Sequence, residues 1–470
     1  MKIRNLSYAV AAALSLGAGS AFALPLSQYN AADTLDVYVS GSSAQDGSLE
    51  LYVDSVCKPG TLDIYRASNQ RMMFCQIDGS TVSGFPAAPA FQKVLIHKSS
   101  AGGSGEGVQP VADQIALAAM SPSSTCDAGS SVTPAGGLPT YTAHSCSALV
   151  TTNQVPDAGI SDEEPALFGA SPSQLAKLQI TSQDGVIFGI IASQNLRDAL
   201  QKAQGLTVGA DDEANMPNLT RQQIASMFNG GITDWTQVTD ASGTPLPSVA
   251  GVTPPVNTSV YITRRVSTSG TQTGTQVYFL NQGCLASVLP ALSGNDGGSC
   301  GTNTVNEGSG SGNVVSCTNT NYSLNHWSIG LLGVENKAGA SDHYRFIKVN
   351  GYAPTLLNVA QSKYDFVMEN SVQWRNAASG NALSGLKLNL MQAIATQNGS
   401  PTILSAVDGS IGQPWGGTGF MALITNGYVP TLNPTAAQVL ANPVMTMTKS
   451  PAGSPNNCQP PVIYFPTSVK

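Results

Sequence analysis

The sequence predicts an α/β fold with a mainly parallel sheet, because segments typical of strands alternate with segments typical of helices. "LDVYVSG" (35–41) alternates apolar and polar residues, and it leads into "AQDGSLELYVDSVC", where apolar residues recur at helical spacing. "VIFGIIAS" (186–193) is an unbroken apolar segment that predicts a further strand. In such folds, ligands bind beyond the carboxyl ends of the strands, where loops lead into helices.

The other elements continue this alternation. "KVLIHKS" (93–99) predicts a strand, and residues 108–120 predict a helix. A strand ends within "VPDAGISDEEP" (155–165), and "TRQQIASMFNG" (220–230) has the spacing of an amphipathic helix. Residues 371–397 predict a late pair of helices.

The first residues have the pattern of a secretory signal. Lys2 and Arg4 precede an apolar run from Tyr8 onward, and small residues lead to a cleavage site after Ala23. No later segment is long and apolar enough to predict a transmembrane helix. We therefore expect an exported protein, periplasmic or secreted, without membrane insertion.

The chain has eight cysteines, at Cys57, Cys75, Cys126, Cys146, Cys284, Cys300, Cys317 and Cys458. None forms a CxxC pair and the four histidines are scattered, so no metal site is predicted. An even number of cysteines in an exported chain favours disulfides. Proximity predicts that Cys57 pairs with Cys75 and Cys126 with Cys146, and that two of Cys284, Cys300 and Cys317 close one loop.

Composition excludes several classes of protein. Only 10% of the 470 residues are charged, and 21 basic residues face 28 acidic ones, for a net charge of −7. That balance argues against nucleic acid and anionic membrane surfaces as partners. The low charge and high apolar content also argue against disorder. The chain is long enough for two or three domains, and no cofactor is predicted.

Three polar loops each leave a predicted strand and enter a predicted helix: "SGSSAQ" (40–45), "GGSGEG" (102–107) and "RRVSTSGT" (264–271). Unpaired N–H groups at a helix start bind anions without any net positive charge. A guanidinium group beside hydroxyls and a glycine turn suits an oxyanion. The second loop lacks the GK[ST] ending of a nucleotide-binding P-loop. The alternative for each loop is a polar turn without a ligand.

The order of these segments resembles the phosphate-binding proteins of ABC transporters, the PstS type within the type II periplasmic-binding-protein superfamily. The matching segments, in order, are "GSSA", "GGSGEGV", "GISDEEP", "IASMFNGGITDW", "RRVSTSGT" and "SIGLLGVEN". The resemblance covers the larger part of the chain, with inserts between Met120 and Val155 and between Cys284 and Tyr322. Ser267 stands where the family often has an aspartate that steadies the arginine.

The resemblance implies a set of phosphate ligands. They are Ser43, Ala44, Ser104, Asp162, Arg265, Ser269, Gly270 and Thr271. Arg265 would supply positive charge, and Asp162 would accept a hydrogen bond from the protonated oxygen of monohydrogen phosphate, whereas sulfate has no proton to donate. The alternative for Asp162 is the N-cap of a following helix.

The resemblance also implies two lobes with the ligand between them. We expect residues 24–185 and 325–470 to form one lobe and residues 186–324 to form the other, after a signal peptide at 1–23. The implied protein is a non-enzymatic monomer that binds inorganic phosphate or a related oxyanion, with an ABC permease as its partner. Two alternatives stay open: a secreted or surface protein that uses its inserts for adhesion or assembly, and a phosphatase. The phosphatase has the least support, because no metal cluster or Ser-His-Asp order is visible.

Overall fold

The computed structural model describes residues 24–284, 300–450 and 454–463. The predicted signal peptide and residues 285–299 of the second insert lie outside these ranges. No helix within the described ranges combines the length and the apolar character needed to cross a lipid bilayer.

The strands are β1 (Thr34–Gly41), β2 (Asp63–Ala67), β3 (Gln70–Ile77), β4 (Gln92–Ser99), β5 (Leu117–Met120), β6 (Thr125–Cys126), β7 (Ser130–Val132), β8 (Tyr141–Ala148), β9 (Thr151–Gln154), β10 (Ala158–Ser161), β11 (Leu178–Ser193), β12 (Asn218–Leu219), β13 (Tyr261–Arg265), β14 (Val305–Gly308), β15 (Ser328–Gly333), β16 (Tyr344–Val349), β17 (Val367–Arg375), β18 (Phe420–Ala422), β19 (Met447–Thr448) and β20 (Val462–Ile463). The helices are α1 (Asp46–Val56), α2 (Gln109–Asp113), α3 (Pro172–Leu175), α4 (Gln194–Ala203), α5 (Arg221–Phe228), α6 (Gly270–Leu280), α7 (Ser311–Ser323), α8 (Leu356–Ala360), α9 (Gly385–Gln397), α10 (Pro401–Ile411) and α11 (Ala436–Ala441).

Two groups of parallel strands form the framework of the sheet. In the first group, β1 lies between β4 and β10 and is parallel to both. In the second group, β13 lies between β14 and β15 and is parallel to both. Antiparallel pairs of β11 with β17 and with β15 connect the two groups. The predicted α/β fold is confirmed.

β11 runs from one group of strands into the other. Its first part pairs with β17 and its last part with β15 and β16. The strand is buried from Ser182 to Ser193, which explains the unbroken apolar run in its sequence. Its last eight residues are the segment 186–193, which the sequence predicted as a strand.

Strand pairing also shows where the chain returns to the first group. β15 begins just beyond residue 325 but pairs with β13 and with the last part of β11. Pairing therefore places it with the second group, and the return occurs at β17, which pairs with β10. The division into two lobes stays a prediction. Strand pairing places its second boundary nearer to β17 than to residue 325.

Two predicted helices are wrong in part. Helix α2 ends at Asp113, because Gln114 adopts a left-handed conformation with φ 57°, and β5 follows within the range predicted as helical. At 371–397, the first five residues belong to β17 and only α9 is helical. β17 lies between β10 and β11, and this sheet pairing overrides the local helical pattern.

All eight cysteines form disulfides: Cys57–Cys75, Cys126–Cys146, Cys284–Cys458 and Cys300–Cys317. The first two are the pairs that proximity predicts, and Cys300–Cys317 closes one loop of the second insert. Cys284–Cys458 links the end of α6 to the C-terminal tail.

We expect alkylation without reduction to leave all eight cysteines of the exported protein unmodified, because each has a partner. Mass spectrometry of non-reduced peptides would measure this and identify the four pairs. Four or more alkylated thiols would contradict the assignment.

Candidate functional site

Four loops meet at the carboxyl ends of β1, β4, β10 and β13, and we call them the site loops: 41–45, 100–107, 161–164 and 266–271. Ser42 Oγ in the first loop donates a hydrogen bond to Asp162 Oδ1 in the third. Asp162 N donates to Ser104 Oγ in the second loop at 3.1 Å. Gly105 N donates to Thr268 O in the fourth loop at 2.9 Å. The loops that the sequence predicted as one site are therefore in direct contact.

In the first site loop, the inward hydroxyl belongs to Ser42 and not to Ser43. Gly41 has φ +113°, a conformation that favours glycine, and Ser42 N then donates to Ile160 O at 2.8 Å. This turn buries Ser42 and leaves the predicted ligand Ser43 exposed. Ala44 is buried, and its N–H donates to Ser42 Oγ at 3.1 Å. The sequence has no clear signal that separates Ser42 from Ser43, because the turn at Gly41 determines which hydroxyl faces inward.

Asp162 lies at the centre of the site loops and is buried. Burial raises the pKa of its carboxyl group, while the hydrogen bonds of Ser42 and Ser104 and the positive charge of Arg265 oppose that shift. The 3-10 helix that follows begins after Glu164, which is its N-cap. Asp162 therefore does not cap that helix, which was the alternative interpretation.

The fourth site loop brings the start of α6 against Asp162. Ser269 is the N-cap of α6 and makes no side-chain capping bond, and both Ser269 and Thr271 are buried. A Cβ added at Gly270 would lie 2.5 Å from Ser104 Oγ and closer still to Asp162 Oδ2. Only glycine fits at this contact. The first N–H groups of α6 have no acceptor within the helix, so they are available to a ligand.

Arg265 ends β13 and is 4% exposed. Its Nη1 donates to Ser311 Oγ and its Nη2 to Ser309 O, both at 3.1 Å, while Nε has no hydrogen-bond partner. Burial lowers the pKa of Arg265, and the negative charges of Asp162 and Glu335 oppose that shift. Within the described part of the chain, no carboxylate lies at ion-pair distance from Arg265.

Arg264 lies on the opposite side of β13. Its Nη1 is 2.9 Å from Glu307 Oε2 on the neighbouring strand β14. The pair explains how Arg264 is only 7% exposed. The two adjacent arginines thus have separate environments, and Arg265 is the one whose charge acts on Asp162 in the third site loop.

Lys98 is a second buried cation that the sequence analysis missed. Its Nζ donates to Gly41 O at 3.1 Å and to Ser42 O at 2.8 Å, behind the first site loop. Asp46 Oδ1 neutralises it at 3.1 Å. Burial lowers the pKa of Lys98, with the charge of Asp46 in opposition. A lysine within the apolar strand "KVLIHKS" was the available signal.

Glu335 follows β15 and was also missed. Asn336 Nδ2 donates to Glu335 Oε1 at 2.9 Å, whereas Oε2 is shielded from solvent and has no hydrogen-bond partner. The pKa of Glu335 is raised to about 7, mainly by burial and also by the charge of Asp162, while its hydrogen bonds and Arg265 oppose the shift. The signal was its position after a strand parallel to β13, because the carboxyl ends of both strands face the same edge.

The second and fourth site loops are in contact through Gly105 N and Thr268 O, and Gly270 packs against Asp162. A cavity of about 400 Å³ lies elsewhere, beside Trp374, Leu383 and Leu388, and contains none of the predicted ligand residues. A ligand between the site loops therefore requires the fourth loop to separate from the second.

Comparisons with known proteins were made against families, curated sequences and solved structures. No family profile and no curated sequence matches the chain. Among solved structures, the chain is similar to a putative phosphate ABC transporter substrate-binding protein with bound phosphate from Clostridium perfringens, at 13% identity and a TM-score of 0.41 over 79% of this chain and 97% of that one.

Two further structures show a similar likeness. An ABC-type phosphate transport receptor from Vibrio cholerae has 13% identity and a TM-score of 0.38, over 76% of this chain and 93% of that one. PstS from Borrelia burgdorferi has 13% identity and a TM-score of 0.36, over 79% of this chain and 97% of that one. These are proteins of the kind that the sequence resembles. At such low scores they carry no argument for the ligand, which has to come from the site itself.

Proposed function

We propose that the chain is an exported solute-binding protein that binds inorganic phosphate, or a similar tetrahedral oxyanion, between the four site loops. The observation that carries the proposal is Arg265, a buried guanidinium group without a carboxylate at ion-pair distance among the described residues. A buried charge is costly unless it is paired, so its environment is suited to an anion that the protein does not itself provide.

The donors around Arg265 suit an anion with several oxygens. Arg265 Nε and Gln272 Nε2 are buried and have no hydrogen-bond partner. The start of α6 adds the N–H groups of its first turn, and Ser269 and Thr271 add hydroxyls. Donors from a guanidinium group, a helix start and hydroxyls together surround a tetrahedral oxyanion from several directions.

Asp162 supports phosphate over sulfate. A carboxylate beside an anion repels it unless the anion carries a proton to donate. Monohydrogen phosphate and arsenate carry such a proton, whereas sulfate at neutral pH does not. Ser42 fixes the carboxylate through Oδ1, which leaves Oδ2 directed at Gly270 and the start of α6.

Binding requires an opening movement. The bond from Gly105 N to Thr268 O and the contact of Gly270 with Asp162 close the space that the ligand would occupy. We infer that the two groups of strands separate to admit the anion and close over it, as in hinge-type binding proteins. One moving lobe would consist of residues 24–185 and the C-terminal part of the chain. The other would consist of the middle of the chain.

We expect phosphate to raise the melting temperature of the purified mature protein, because it binds the native state alone. At a free concentration of 100 Kd, the gain in unfolding free energy is about 2.7 kcal/mol. Differential scanning calorimetry with phosphate, arsenate and sulfate would measure it, with sulfate as the matched control. The absence of any shift with millimolar phosphate and arsenate would refute the proposal.

The absence of such a shift in melting temperature would favour the alternative in which the inserts serve adhesion or assembly. The strands around Cys126–Cys146 belong to the first insert, and they would then be the surface to study. Under the proposed function, the chain acts as a monomer without catalysis, in the periplasm or outside the cell. It would deliver its ligand to an ABC permease or scavenge it.

A further inference from the structure

The site loops contain more negative than positive charge. Arg265 faces both Asp162 and Glu335. Lys98 also acts on Asp162, but it lies behind the first site loop and pairs with Asp46. An incoming dianion would make this excess larger in a region of low dielectric constant, where charge repulsion is strong. Something has to offset that charge when the anion binds.

Glu335 is held in place between several elements. Gln413 Nε2, beyond the end of α10, donates to Val334 O at 2.9 Å and to Asn336 O at 3.1 Å, on both sides of Glu335. Tyr344 on β16 donates its hydroxyl to Asn336 O at 3.1 Å. A Cβ at Gly333 would overlap the Glu335 carboxylate, so the side chain lies folded against the end of β15. These hydrogen bonds fix the backbone on both sides of Glu335, and Oε2 is shielded from solvent.

We propose that Glu335 couples anion binding to the uptake of one proton, so that the site binds phosphate together with a proton taken from solvent. This inference rests on the proposed function, whose ligand it assumes. Above neutral pH, the free partners are the Glu335 carboxylate and monohydrogen phosphate. The complex holds one additional proton, which forms an O–H bond at the shielded Oε2 of Glu335.

The partners of the two carboxylates favour Glu335 over Asp162 as the proton acceptor. Asp162 accepts a hydrogen bond from Ser42, which stabilises its ionised form. Glu335 Oε2 accepts none. The charged and titratable groups that face Glu335 are Arg265 on β13, Asp162 beyond β10 and Tyr344 on β16. Among these charged groups Arg265 favours the ionised form of Glu335, in addition to the hydrogen bonds from Asn336 and from the Glu335 backbone N–H, and a bound anion would offset the effect of Arg265.

The sign of the pH dependence follows from the raised pKa of Glu335, which is about 7 in the free site. Below that pH the carboxyl group is already protonated, so binding takes up little additional proton. Above that pH, each bound anion requires one proton from solvent. The affinity should therefore fall by up to about tenfold per pH unit. Phosphate itself is mostly monohydrogen phosphate from about pH 7.5 to 9, so its own titration contributes little there.

The test is titration calorimetry of the mature protein with inorganic phosphate at about pH 8.5, in two buffers with different ionisation enthalpies. The difference in heat gives the number of protons taken up. We expect about one proton for the wild type and close to none for Glu335→Gln. The variant should also bind about 10- to 30-fold more tightly than the wild type at this pH. Glu307→Gln, which alters the partner of Arg264, is the matched control and should behave as the wild type.

The other possible outcomes of the calorimetry separate a failure of this inference from a failure of the proposed function. Phosphate binding by the wild type without proton uptake would overturn this inference and leave the proposed function intact. Uptake that persists in a folded Glu335→Gln variant would place the proton elsewhere and overturn the role of Glu335. The absence of phosphate binding at both about pH 6 and about pH 8.5 would instead refute the proposed function. The wild-type measurement decides the first point even if the variant does not fold.

Discussion

Arg265→Ala is expected to weaken phosphate binding by about 2–5 kcal/mol, a loss of roughly 30-fold to several thousandfold in affinity. The substitution removes the buried cation while Asp162 and Glu335 remain, so the anion would meet uncompensated negative charge. Arg265→Lys should restore only part of the affinity, because an ammonium group cannot reproduce the planar fork of donors. Titration calorimetry on both variants measures the effect, after circular dichroism has shown that each is folded.

Arg264→Ala is the matched control, because it removes the same side chain one position away. Arg264 pairs with Glu307 and is directed away from the site loops, so the affinity should change by only about 0–1 kcal/mol. Loss of a buried side chain and its ion pair should instead lower the melting temperature. Equal losses of affinity at 264 and 265, or a larger loss at 264, would contradict the assignment of Arg265 to the site.

The fold was largely predictable because its signals are local. The apolar run of β11, the strand β4 and the helices α1 and α5 each follow from periodicity within a single segment. Helix α5 also begins with a capping box, in which Thr220 and Gln223 exchange hydrogen bonds. The errors fall at 114–120 and 371–375, where pairing with distant strands determines the structure. Such pairings are not encoded in a short window.

The candidate site was predictable at the level of loops and less so at the level of side chains. The order of the polar segments along the chain indicated which loops meet. The structure brings together Ser104, Asp162, Ser269 and Gly270 from these loops. The exchange of Ser42 for Ser43 depends on the backbone of Gly41, which the sequence does not specify. Lys98 and Glu335 have only weak local signals, and tertiary packing brings them to the site. The sequence therefore predicted the charges of Asp162 and Arg265 and missed those of Lys98 and Glu335.

Gly270→Ala is expected to impair both stability and binding, because it acts on the contact between the second, third and fourth site loops. Its Cβ would collide with Asp162 Oδ2 and lie 2.5 Å from Ser104 Oγ. Neither side chain can easily move away, since Ser42 holds Asp162 and Ser104 is fully buried. The strain should lower the unfolding free energy by about 1–3 kcal/mol.

The affinity for phosphate should fall in Gly270→Ala as well, because the added methyl group displaces the start of α6 from Asp162 and from the ligand position between them. Gly47→Ala is the matched control: Gly47 also lies in the first turn of a helix that follows a site loop, and an added Cβ there has no neighbour within 4 Å. That variant should retain wild-type affinity and gain slightly in stability, by about 0.5–1 kcal/mol, because alanine favours the helix. Urea unfolding and calorimetry on both variants make the comparison. Wild-type stability and affinity in Gly270→Ala would show that α6 does not pack against Asp162, and the closed arrangement of the site loops would then be wrong.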